Sequence, residues 1–166
     1  MPKHTIKVLV LCTGNSCRSI LAEALFNHLG QGRVRAYSAG SHPAGRVNPN
    51  ALLTLERHGV PHAGARSKSW DEFAQAGAPT IDFIFTVCDH AANEVCPVRP
   101  GFPRSIHWGI ADPAGVTPDE AQRAAFEVTY AALHQRIAAF LALPLETMSA
   151  DDATAAARQI HAEAAA

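Results

Sequence analysis

The chain has 166 residues, 14 Lys and Arg against 15 Asp and Glu, a formal net charge of -1, and 48% hydrophobic residues. That length suits one domain able to bury a continuous core without disulfide or metal staples, and the near-neutral balance excludes a general attraction to nucleic acid while leaving room for a small basic pocket. No stretch approaches the roughly 20 apolar residues of a membrane span, and the four cysteines, with no signal-peptide pattern ahead of them, are expected to be reduced thiols of a cytoplasmic protein.

Ile6 to Leu11 is an apolar run broken only by Lys7, which predicts a strand buried on both faces of a parallel sheet and ending at Cys12. The polar Thr13-Gly14-Asn15-Ser16 follows, then Ile20, Leu21, Ala24, Leu25 and Leu29 at helical spacing, closed by Gly30. Val34 to Ser38 predicts a second strand, and Asn48-Pro49 opens a second helix through Leu52, Leu53 and Leu55 to a stop at Gly59. Ile81 to Val87 predicts a third strand that again ends at a cysteine, Cys88. Parallel sheets place ligands beyond the carboxyl ends of their strands, so Cys12 and Cys88 are expected at one rim. Ser105 to Trp108 predicts the fourth strand, whose exit loop carries Asp112-Pro113 to the same rim. Thr117-Pro118-Asp119-Glu120 starts a long helix with Ala125, Phe126, Tyr130, Leu133, Ile137, Phe140 and Leu141 along one stripe. The order predicts an α/β fold of three layers, with a four-stranded parallel sheet between helices. Residues 1–143 are expected to form the catalytic domain and 144–166 an Ala-rich extension, helical or disordered, capped by Ser149 and with little to bury.

Cys12-Thr13-Gly14-Asn15-Ser16-Cys17-Arg18-Ser19 sets a cysteine, five residues, then Arg and Ser between a buried strand and a helix. A tetrahedral oxyanion needs converging donors, and the backbone N–H groups of a tight loop at a helix amino terminus supply them together with the positive end of the dipole. Thr13, Gly14, Asn15, Ser16, Cys17, Arg18 and Ser19 are the expected oxyanion cradle, with Gly14 permitting an unusual backbone angle and Arg18 offering a planar fork. The same field is expected to lower the pKa of Cys12 and make it the nucleophile. The bland reading, a buried cysteine before an ordinary helix cap, accounts for neither the spacing nor the Arg. A nucleotide-binding phosphate loop would need a Gly-Lys-Ser/Thr ending that is absent here.

The segment CTGNSCRSILAE, Cys12 to Glu23, resembles the catalytic loop and first helix of the low-molecular-weight tyrosine phosphatases and of the arsenate reductases that share their fold. The resemblance spans about residues 5 to 143 and implies that Cys12 is the nucleophile. It places Asp112 where the family keeps its general acid, although Ala114-Gly115 replaces the aromatic residues that flank a phosphotyrosine ring in the phosphatases. Thr86 to Pro97, with Cys88 and Cys96, resembles the redox segment of the arsenate reductases, which implies a relay through Cys12, Cys88 and Cys96. That relay asks the 88–96 segment to move, because Cys88 must visit two partners. Arsenate or a phosphate-like oxyanion would be the ligand, and thioredoxin, or glutathione with glutaredoxin, the external reductant. No tightly bound cofactor is expected, and the chain is expected to be a monomer. Asn15, Glu23 and Ser38 match positions that stabilise the loop in some family reductases, partly through a bound potassium ion, but here the supporting acidic position falls near Ser69, a departure that leaves potassium an open question.

Other readings stay open at this point. Phosphomonoester hydrolysis would leave Cys88 without redox use, and a non-enzymatic oxyanion or arsenite-binding regulator would use the thiols as soft ligands. Zinc at Cys88, His90 and Cys96 lacks a fourth ligand and the usual spacing. Cys17 reads as a buried helical residue, with protective pairing to Cys12 the minority view. His107-Trp108-Gly109 is assigned to packing.

Overall fold

The computed structural model describes residues 5–88 and 105–165. A parallel sheet of β1 (Ile6–Cys12), β2 (Val34–Gly40), β3 (Phe83–Thr86) and β4 (Ser105–His107) runs in the order β2-β1-β3-β4. The helices among the described residues are α1 (Arg18–Gly30), α2 (Pro49–Arg57), α3 (Asp119–Leu141) and α4 (Ala150–Ala165). This is the expected α/β class with its four-stranded parallel sheet. None of the described helices is long and apolar enough to cross a membrane.

β1 is central, so both its faces are covered, which is why its sequence is almost continuously apolar. Val8, Val10 and Cys12 point into the larger core with Leu21, Leu25 and Phe26 of α1 and Phe126, Leu133, Ile137 and Phe140 of α3. Leu9 and Leu11 point to the opposite face, against Ala39, Phe73, Ile81 and Ile84. The stripe expected on α3 is buried from Phe126 to Leu141. Phe26, Phe85, Trp108 and Phe140 interlock at ring separations of 4.5 to 6.3 Å, fixing α1 and α3 against β3 and β4. The helix boundaries follow local chemistry: Asn48 accepts the Asn50 N–H ahead of Pro49, and Gly59 takes a φ of +68° after α2.

The tail is helical, one of the two expected forms, but it buries more than expected. α4 runs for 16 residues, and Ala153 and Ala157 are wholly buried. Its many alanines do not leave it without a partner; they let its backbone approach so closely that the Trp108 indole donates to the Ala157 carbonyl at 2.9 Å. Ser149 caps the first turn through the Asp152 N–H, Arg136 of α3 donates to His161, and Arg158 donates to the Ser105 carbonyl. The helix thereby clamps β4, the strand that delivers the Asp112 loop.

Candidate active site

β1 ends at the rim and the chain turns at once into the loop 12–18, which closes on the first residue of α1. The loop's carbonyls are engaged on its outer side. Thr13, Gly14 and Ser16 oxygens accept from the N–H groups of His42, Ala44 and Asn48, and the Ser67 hydroxyl also donates to Gly14. A loop whose oxygens are held outward is left with its N–H groups to converge on an anion. The left-handed residue is Asn15, with φ +47°, and not Gly14 as the sequence suggested. Asn15 tolerates that angle because its side chain is fully occupied: the amide nitrogen donates to Ser19 at 2.8 Å and Ser38 at 3.0 Å, and its oxygen accepts the Lys68 N–H at 2.8 Å. Asn15 and Ser19 are thus wholly buried braces of the loop.

Below Asn15 the brace continues. The Ser38 hydroxyl donates to Glu23, and the Lys68 ammonium lies 3.7 Å from the same Glu23 oxygen while donating to the Arg66 carbonyl at 3.0 Å. Burial pushes the Lys68 pKa down, and Glu23 opposes that shift.

Register brings the two strand-end cysteines together. Leu11 pairs with Thr86 and accepts the Val87 N–H, so Cys88 leaves β3 beside Cys12 and Thr13. The Cys12 and Cys88 thiols share a hydrogen bond, and Cys88 also lies 3.4 Å from the Thr13 hydroxyl. Cys12, Cys17 and Cys88 are all buried and outside any disulfide. The structure corrects one expectation: the Cys12 thiol is pushed well above the usual range, first by its hydrogen bond with Cys88 and then by burial. Arg18 and the Thr13 N–H act in the expected downward direction but are outweighed. Cys17, at the start of α1, is likewise pushed up by burial, in keeping with a packing role.

Arg18 holds the other side. It donates to the Ile110 carbonyl at 2.8 Å, stands 3.8 Å from the Asp112 carboxylate, and keeps its buried Nε without a partner among the described residues. An unpaired buried N–H beside a loop of donors suits a bound oxyanion. Asp112 caps the turn Pro113–Gly115 through the Ala114 N–H and is half exposed, at the mouth of the site. Cys96, His90 and the expected mobility of 88–96 lie largely outside the described residues, as does any zinc reading built on them. No cluster of three or more metal-ligating side chains occurs among the described residues.

Gly40, Ser67, Lys68 and the Ile110 carbonyl support the site but were not read from the sequence. Gly40 ends β2 where it bridges to Ser69, and a Cβ there would run into the Thr13 carbonyl and come within 3.1 Å of the Asn15 backbone. Gly40→Ala is therefore expected to displace the loop and to cost about 2–4 kcal/mol of stability, a size seen when a close approach is blocked. Urea unfolding measures the loss, and anion binding should weaken with it.

A family model described as low molecular weight phosphotyrosine protein phosphatase matches residues 7–153. An arsenate reductase of Bacillus cereus strain G9842 is 37% identical over 121 residues, 73% of this chain and 87% of the relative. Among solved structures, an arsenate reductase in its phosphate-binding state superposes with a TM-score of 0.67 at 26% identity, covering 82% of this chain and 97% of the other. A tyrosine phosphatase of Erwinia amylovora does so with a TM-score of 0.62 at 25% identity, covering 79% and 87%.

Proposed function

The chain belongs to the low molecular weight phosphotyrosine protein phosphatase family, and from that premise we propose that it is an arsenate reductase working through thiols. The observation that carries this reading is the hydrogen-bonded pairing of the Cys88 thiol with Cys12, the first residue of the anion loop. Phosphomonoester hydrolysis needs one nucleophile and has no use for a second thiol in contact with it. Reduction of arsenate takes two electrons, and two thiols closing to a disulfide supply two.

In the proposed sequence the loop N–H groups and the Arg18 fork hold the arsenate oxygens, and the Cys12 sulfur attacks arsenic as its proton passes to an arsenate oxygen. Asp112 protonates the departing hydroxyl, so water leaves and a thiol–arsenate bond forms with arsenic still pentavalent. Cys88 then attacks the Cys12 sulfur. A Cys12–Cys88 disulfide forms, the sulfur–arsenic pair passes to arsenic, and trivalent arsenite departs. Cys96 attacks Cys88, frees the Cys12 thiolate and leaves a Cys88–Cys96 disulfide, which thioredoxin or a glutaredoxin system reduces.

The test is arsenate-dependent NADPH oxidation with thioredoxin and its reductase, and in parallel with glutathione and glutaredoxin. Wild type is expected to turn over in at least one system, and Cys96→Ser to stop after about one arsenite per chain in the thioredoxin system. Brisk hydrolysis of a phosphotyrosine peptide with no arsenate reduction would instead assign the site to the phosphatase chemistry that the fold also supports.

A further inference from the structure

The family resemblance left a potassium ion at Asn15, Glu23 and Ser38 open, and the side chains of this structure do not fit one. A potassium site needs several oxygen atoms turned inward. Asn15 turns its amide nitrogen to Ser38, and its oxygen is already taken by the Lys68 N–H. The Ser38 hydroxyl donates to Glu23, and the Ser69 hydroxyl accepts from Asp71 in its own turn. The one carboxylate of the set, Glu23, faces an ammonium instead.

We infer that Lys68 is the loop's own cation, a positioning residue that neutralises Glu23 beneath the anion site and removes any need for bound potassium. The charge argument is direct. Glu23 connects to the loop through Ser38 and Asn15, so an uncompensated carboxylate there would put negative charge under a site that must receive an oxyanion. The Lys68 side chain is only 8% exposed and is anchored at both ends. Its backbone N–H holds Asn15, its carbonyl accepts the Gly40 N–H, and its ammonium is fixed by the Arg66 carbonyl and by Glu23. One residue thus fixes the left-handed turn of the loop through its backbone and balances the charge below it through its side chain. A lysine tethered in the chain is present at any salt composition, whereas a bound ion depends on its concentration.

This inference rests on the reading of loop 12–18 as an anion site, and the experiment separates the two. Binding of inorganic phosphate to the full chain is measured by calorimetry in choline, sodium and potassium chloride at equal ionic strength, alongside thermal melting in the same salts. Wild type is expected to show the same affinity and the same melting temperature in all three. Lys68→Met should weaken phosphate binding by about tenfold or more in choline chloride. Adding Glu23→Gln to Lys68→Met restores the charge balance and should recover most of that loss, which a purely packing role for Lys68 would not allow. A potassium-specific gain in wild-type affinity or melting temperature overturns the inference. So does a Lys68→Met variant that binds like wild type, or a double variant no tighter than the single. If Lys68→Met does not fold, the wild-type salt comparison decides alone. Failure of wild type to bind phosphate in any salt removes the anion-loop reading itself, and the inference falls with it.

Discussion

Cys88→Ser is expected to lose arsenate turnover by about a thousandfold or more, because the step that expels arsenite uses the Cys88 sulfur that meets Cys12. The same substitution should make Cys12 more reactive toward an alkylating agent. Cys88 is the largest influence holding the Cys12 proton on, whereas a serine hydroxyl in its place does not ionise and can donate to a thiolate. The sign follows: with that upward influence removed, the pH midpoint for Cys12 alkylation moves down, and at neutral pH the rate rises. Mass-resolved alkylation against pH, set beside coupled turnover, measures both. Loss of turnover with faster alkylation identifies Cys88 as the second redox thiol. Loss of both would mean that Cys88 only shapes the pocket, and retained turnover would remove the relay altogether.

That pairing was legible in the sequence because two strands ended at cysteines and adjacent parallel strands deliver their ends to one rim. What sequence pattern could not give was the sign of the Cys12 shift. The loop's positive field is local and follows from Arg18 and the backbone, but burial comes from the assembled core and the hydrogen bond from Cys88, 76 positions on, and these dominate. The left-handed angle shows a similar limit. Gly14 is the residue that enters such an angle most freely, yet Asn15 takes it because three side-chain bonds hold it there, two of them to the distant Ser38 and Lys68. Lys68 and Gly40 were missed for the same reason: each lies in a segment whose own pattern says nothing about the loop it touches. The tail misled in another way. Alanine offers little apolar area, which argued for a helix without a partner, but small side chains also permit close backbone approach, and Trp108 uses it.

Arg18→Lys is the substitution that isolates geometry from charge at the oxyanion site. It preserves the net charge, so the field over the loop changes little, but it replaces a planar fork by a single point donor. In the structure the guanidinium divides its work, with one terminal nitrogen on the Ile110 carbonyl, the other toward Asp112, and Nε unpaired among the described residues. An ammonium that keeps the Ile110 carbonyl cannot also present two parallel donors to an oxyanion, and one that turns to the oxyanion leaves that carbonyl. A loss of about 10²- to 10³-fold in kcat/KM for arsenate is expected, the range for removing one preorganised donor, with weaker phosphate binding measured by calorimetry. If Arg18→Lys stays within a few-fold of wild type, the site uses Arg18 for charge alone and the buried Nε has no part in holding the oxyanion. Ile110 sharpens the test, because its own N–H bonds the Val87 carbonyl. The fork is therefore referenced to the end of β3, beside Cys88, and a shift in Arg18 misaligns the oxyanion against both thiols at once.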